Sequence, residues 1–153
     1  MNIFDKLGNI YTELDNIYAN KEVTAFSKGH FKKEADYLSK RLYNDQAYFL
    51  YMFSRLEDRV RSLSDKLIDV KMTSLTDWKL KRSWDIILKQ KNNDSLHFMN
   101  RVSLLTEKGG SNYNLIKRYY NQRNIIGHGK NFTITISIQT VIIDMKRLHI
   151  SLK

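Results

Sequence analysis

Residues 35–70 read ADYLSKRLYNDQAYFLYMFSRLEDRVRSLSDKLIDV, and the order of apolar side chains in this stretch decides the fold class. They fall at Ala35, Leu38, Leu42, Phe49, Phe53, Leu56, Val60, Leu63, Leu67 and Val70, with Gln46 in the one polar slot. Steps of three and four trace one face of a helix, whereas a strand would alternate at every second residue. Asn44-Asp45 leaves two readings open: one long helix, or a break at which Asn-Asp caps a second one.

Outward from this seam, Ile3, Leu7, Ile10, Leu14 and Ile17 keep similar spacing over residues 2–19, and a further helix is expected to start near Lys21. Downstream, Ser74-Leu-Thr-Asp77 resembles a capping box ahead of Leu80, Trp84, Ile87 and Leu88. Asp94 is placed to cap a helix carrying Phe98, Met99, Val102 and Leu105, with Gly109-Gly110 to stop it. Ser111 begins a helix running to about His128 and ended by Gly129. Phe132–Ser137 alternates like a strand, but no second strand is available to pair with it. Helical spacing resumes at Ile138, Val141, Ile142, Met145 and Leu148, so the last helix is expected from about Ser137. The expected architecture is all-α, a single helical bundle of five to seven helices forming one domain over residues 1–153.

Composition agrees. The 153 residues include no proline and only six glycines, which argues against a turn-rich β-sandwich. The absence of cysteine excludes disulfides, thiolate metal sites and cysteine nucleophiles, and fits a reducing compartment. Asp5 and Glu13 interrupt the N-terminal segment, which does not read as a signal peptide, and no window approaches the roughly 18 apolar residues of a membrane span. A soluble, cytoplasmic protein without a membrane partner is expected. A formal charge of +10, from 26 Lys+Arg against 16 Asp+Glu, calls for a polyanionic partner such as nucleic acid.

Of the four histidines, His128 has the most suggestive surroundings: Asn121-Gln-Arg123-Asn124-Ile-Ile-Gly-His128-Gly-Lys130. At about 100° per residue, Leu115, Tyr119 and Ile126 define a buried stripe. Arg123, Asn124 and His128 then share a different face, with Asn124 at i, i+4 from His128 and Ile116 and Tyr120 beside them. Arginine offers a fork of donors for phosphate oxygens, and imidazole transfers protons near neutral pH. The plain alternatives are a C-capping histidine and a surface ion-paired arginine.

Arg123-Asn124-x-x-x-His128 at a helix end resembles the R-x(4–6)-H signature of HEPN domains, the higher eukaryote and prokaryote nucleotide-binding domains. Many of these are metal-independent endoribonucleases of toxin–antitoxin and abortive-infection (phage-defence) systems. The resemblance implies a small helical bundle, no metal and no cofactor. It further implies cleavage of RNA by 2′-OH attack, leaving 2′,3′-cyclic phosphate and 5′-OH ends. Arg123 and His128 would be catalytic with Asn124 supporting them, and a twofold homodimer would bring two copies of the motif into one cleft. Ile116 and Tyr120 are the expected interface residues, while Tyr120, Lys117, Arg118 and Lys130 are the candidate RNA contacts. Some relatives have an acidic residue near the position of Glu57. Antitoxin-modified relatives often carry a tyrosine two residues after the histidine, where this chain has Lys130, which leaves open a different antitoxin, a sensing domain in another protein, or autonomous action. From another class comes a competing expectation: a non-catalytic basic helical dimer acting as a nucleic-acid-binding or protein-interaction adaptor.

Overall fold

The computed structural model describes residues 3–152. Residues 1, 2 and 153, which the expected helix and single domain included, lie outside the described residues. The fold is all-α, with six helices and no strand among the described residues: α1 (Ile3–Ser27), α2 (Phe31–Ser74), α3 (Trp78–Asn92), α4 (Phe98–Leu105), α5 (Ser111–Gly127) and α6 (Ile138–Ser151). No helix among these residues is long and apolar enough to cross a membrane.

The boundaries follow from local chemistry, and several differ from expectation. No helix starts at Lys21. Instead α1 continues to Ser27, where Gly29 adopts φ +67 and the amides of Gly29 and His30 return to the carbonyls of Phe26 and Ala25. That pairing is a Schellman motif, for which glycine carries no Cβ penalty. α2 runs unbroken through Asn44-Asp45 because the Asp45 carboxylate is already committed, accepting from the Tyr11 hydroxyl at 2.7 Å. Ser74 does not open a capping box, since it is the last residue of α2. Asp77 alone is the N-cap of α3, accepting from the amides of Lys79 (2.8 Å) and Leu80 (3.5 Å). Asp94 does not cap α4 either. It takes φ 51 after the end of α3, where the amides of Asp94 and Ser95 reach the carbonyls of Lys91 and Gln90. His97 precedes α4 without a side-chain cap. The strand-like 132–137 segment is not a strand, and Ser137 sits just before α6 as expected, its hydroxyl accepting from Thr140 N–H.

Within this all-α bundle the chain groups into two compact units, with α2, α5 and α6 each contributing residues to both. The first comprises the described residues up to Phe53 and Gln122–Arg147; the second comprises Ser54–Asn121 and the described residues from Leu148. In the first, Phe4, Tyr11, Phe49, Met52, Phe53, Ile138, Val141 and Met145 are buried. Gly8 lets α1 approach α6, since a Cβ there would lie 3.0 Å from Ile142 Cδ1, and Lys146 closes the same contact on Asp5 at 2.5 Å. Arg41 of α2 holds α1 at two points, gripping Asp15 with Nε (2.8 Å) and Nη2 (3.2 Å) and Glu22 with Nη1 (2.9 Å). In the second unit, Leu56, Val60, Ile68, Val102, Ile116 and Tyr119 are buried together with an arginine. Arg101, 5% exposed, donates to Ser64 Oγ (2.9 Å), Asp65 Oδ1 (2.5 Å) and the Leu96 carbonyl (3.3 Å).

Two outcomes follow. Asp65→Ala strips the countercharge from a buried guanidinium that keeps only neutral acceptors, and should lower unfolding free energy by about 2–3 kcal/mol in denaturant titration. Asp45 behaves oppositely, because burial raises its carboxyl above the usual range, outweighing the Tyr11 hydrogen bond that favours the anion. A raised folded-state value means that the stabilising protonated form is complete below the unfolded value, about 3.9, and is lost as pH rises through the folded one. Asp45→Asn keeps an acceptor for Tyr11 without the desolvated charge. Its melting temperature should match that of the parent chain near pH 3.5 and exceed it at pH 7; a variant less stable at neutral pH would contradict this.

Candidate functional site

The motif lies at the C-terminal end of α5, where the backbone is closed by a second Schellman motif. Gly129 takes φ +74, its amide donates to the Ile126 carbonyl at 2.8 Å, and the Lys130 amide donates to the Ile125 carbonyl at 3.2 Å. His128 is therefore the C-cap residue, with its own amide bound to the carbonyls of Asn124 (3.1 Å) and Ile125 (3.3 Å). Its imidazole is exposed and makes no hydrogen bond among the described residues. Backbone bonds thus fix where the ring is attached and leave both its nitrogens free.

One turn back, Arg123 Nη1 donates to Asn124 Oδ1 at 3.2 Å, so these neighbours are brought together as expected. Both are half-buried, which corrects the reading that placed them wholly off the core face. Tyr119 and Ile126 are buried as expected, but Leu115 is only half-buried, and the buried arc extends to Ile116, about 20° from Arg123. Ile116 is 0% exposed, so it packs inside its own chain and is not available as an interface residue.

Lys130 is exposed in the same unit as the motif. Lys117, Arg118 and Tyr120 belong to the other unit. Lys117 and Arg118 are exposed, with the Arg118 guanidinium 5.2 Å from the Tyr119 ring centre. Tyr120 is half-buried with one ring face stacked on Phe98 (centroids 5.0 Å apart, planes at 30°), leaving at most the other face for a base or a partner. Among the described residues no group of three or more His, Asp or Glu side chains could hold a metal ion.

Two glutamines missing from the sequence-derived site brace it. Gln122, 5% exposed, donates to Thr133 Oγ1 (2.8 Å) and accepts from the Thr133 amide (2.9 Å). Gln46, also buried, donates to Asn131 Oδ1 at 3.0 Å. Phe132, between those two anchors, meets Phe49 edge-on at 5.4 Å. The segment following His128 is thus pinned at three successive residues.

A basic surface at the α1–α2 turn was also missed. A groove of about 930 Å³ is lined by His30, Phe31, Lys32, Lys33 and Asp36 among others, and a neighbouring one of about 320 Å³ by Lys21, Lys28, His30, Lys33 and Tyr37. Lys21 and Lys40 Nζ lie 6.0 and 5.1 Å from the Tyr37 ring centre. Neither groove is lined by any residue of the Arg123–His128 segment. Compared with known protein families, curated proteins and solved structures, the chain matches no family model, no curated protein and no solved structure.

Gly129→Ala puts a Cβ on a left-handed residue and should cost about 1–2 kcal/mol of stability. Because nothing lies within 4 Å of that added atom, the loss comes from backbone conformation alone. Gly127→Ala, at a helical position equally open, should instead leave stability unchanged or raise it by up to about 1 kcal/mol; paired thermal melts check the contrast.

Proposed function

We propose that this chain is a metal-independent endoribonuclease of the HEPN kind, acting as a homodimer in a cytoplasmic toxin or phage-defence setting. The observation that carries the reading is an exposed, unpartnered His128 fixed at the capped end of α5, one turn beyond the paired Arg123 and Asn124. In the reaction, imidazole accepts the 2′-OH proton, O2′ attacks the adjacent phosphorus, the P–O5′ bond breaks, and O5′ takes a proton from an imidazolium. The products are a 2′,3′-cyclic phosphate and a 5′-OH. One imidazole cannot stand on both sides of one phosphorus, so the second proton transfer falls to His128 of the second copy. Arg123 stabilises charge on the phosphorane, and Asn124, through its 3.2 Å hydrogen bond, limits where the guanidinium can point. Lys130, Lys117 and Arg118 supply positive charge for the strand, and an antitoxin or partner protein would restrain the activity.

A second reading, a non-catalytic nucleic-acid-binding adaptor, is favoured by the lysine-lined grooves at the α1–α2 turn. One set of measurements separates the two. Purified protein with a single-stranded RNA in EDTA should release cyclic-phosphate ends, and His128→Ala or Arg123→Ala should slow cleavage by about 100-fold or more. Equal cleavage by His128→Ala overturns the assignment. RNA that is bound in a steeply salt-dependent way but never cut establishes the adaptor instead.

A further inference from the structure

Helix α1 carries two apolar faces, and only one is covered by its own chain. Phe4, Tyr11 and Ala25 are buried, whereas Ile3, Ile10 and Ile17, at intervals of seven, are 40%, 49% and 49% exposed. Leu7 and Leu14 lie between them, half-buried, so the five residues form the alternating three-and-four seam of a coiled coil, with leucines at a and isoleucines at d. The seam opens on one side into a groove of about 270 Å³ lined by Leu7, Ala47, Tyr48 and Tyr51.

The flanking charges indicate what covers it. The other acidic residues of α1 are engaged internally: Asp5 with Lys146, and Asp15 and Glu22 with Arg41. Lys6 and Glu13 are both exposed, make no hydrogen bond or ion pair among the described residues, and both occupy position g beside the seam. In an antiparallel pair of identical helices, g faces g. With Leu7 layered on Ile10 of the second copy, Lys6 meets Glu13 and Glu13 meets Lys6, giving two attractive pairs. A register one heptad along would set Glu13 against Glu13. A parallel pair would turn both charges toward the e positions Phe4, Tyr11 and Tyr18, of which the first two are already buried in the chain.

We propose that α1 pairs antiparallel with α1 of a second copy through Ile3, Leu7, Ile10 and Leu14, in the register set by Lys6 and Glu13. Covering these side chains, Tyr51 and the flanking Lys6 and Glu13 on both copies removes on the order of 1,000 Å² of surface, the lower bound for a specific interface. The contact is isologous and closes on itself as a twofold pair. It uses no residue of the proposed nuclease site and stands on its own observations.

The test is mass against concentration by light scattering and sedimentation. The parent chain should be a dimer at micromolar concentration, weakening in high salt. Ile10→Lys, at the centre of the seam, should raise the dissociation constant by about 100-fold or more, and Lys6→Glu or Glu13→Lys alone by about 5-fold to 10-fold. Lys6→Glu with Glu13→Lys together should return it to within about 2-fold of the parent. Both charged positions are exposed, so these swaps leave the fold intact, and circular dichroism melts verify it for Ile10→Lys. A monomer at 100 µM, or a dimer indifferent to Ile10→Lys, overturns the interface. Failure of the double swap to restore dimerisation overturns the antiparallel register. Because the readout is mass, a seam dimer that cuts no RNA leaves this inference standing and removes the nuclease reading.

Discussion

The middle of α2 carries a constraint on which the first unit depends: three consecutive polar residues, Asn44, Asp45 and Gln46, inside a helix of 44 residues, about 66 Å long. Asparagine and aspartate there compete for backbone partners and would end the helix if their side chains were free to do so. The competition is removed for Asp45 by the Tyr11 hydroxyl, and Gln46 reaches Asn131. Asn44 Nδ2 is buried without a partner, a local cost that the surrounding packing offsets. Had the helix broken here, Phe49 would lose its fixed position against Phe132, and the segment following His128 would lose two of its three anchors.

Electrostatics follow a similar division between spent and available groups. Among the described residues, Asp5, Asp15, Glu22, Asp36, Asp65, Asp69, Asp94 and Asp144 each lie within ion-pair distance of a lysine or arginine, eight such acidic residues. The exposed ones, Lys40–Asp36 and Arg61–Asp94, contribute little to stability. All eight pairs act on the field: carboxylates are neutralised where they stand, and the chain as a whole keeps an excess of ten positive charges. At the α1–α2 turn Lys21, Lys28, Lys32 and Lys33 line grooves beside Tyr37 and the exposed Phe31, so positive charge and ring faces share one surface there.

Much of this was legible in the chain, and the failures share a cause. The three-and-four spacing of α2 determined the all-α class because burial of one face leaves its period in the sequence. Polar residues at buried registers were legible in the same way. Gln46 stood out in its seam and Gln122 sat on the arc of Tyr119 and Ile126, though what each bonds to lies 85 and 11 residues away and is set by packing. The misplaced caps at Ser74 and Asp94 have another origin. Serine and aspartate serve equally well before a helix, at its end, or in a left-handed residue after it, and the choice depends on where the neighbouring apolar seam stops. Ile116 was misassigned because an angle on a helical wheel gives direction but not the width of the covered arc. The seam of α1 was read correctly as helical, yet periodicity alone could not separate the face that packs internally from the one left open.

The proposed chemistry and the proposed interface meet in a question of symmetry. A histidine whose backbone is locked by Gly129 can rotate its ring but cannot move to the opposite side of a phosphodiester. In the proposed reaction a single copy therefore offers one proton-transfer group per scissile bond. An open, head-to-tail array would supply further copies but would propagate without closing. An isologous contact supplies one additional copy and then stops, because the surface it uses is consumed by the pairing. In the proposed pairing the charges of Lys6 and Glu13 find each other only in the antiparallel sense. The seam on α1 and the motif on α5 share no residue, so evolution can retune affinity through Ile3 and Ile10 without disturbing Arg123 and His128. Dimerisation through α1 would then be a separate point at which a partner protein restrains the proposed activity, by covering α1 instead of blocking the site.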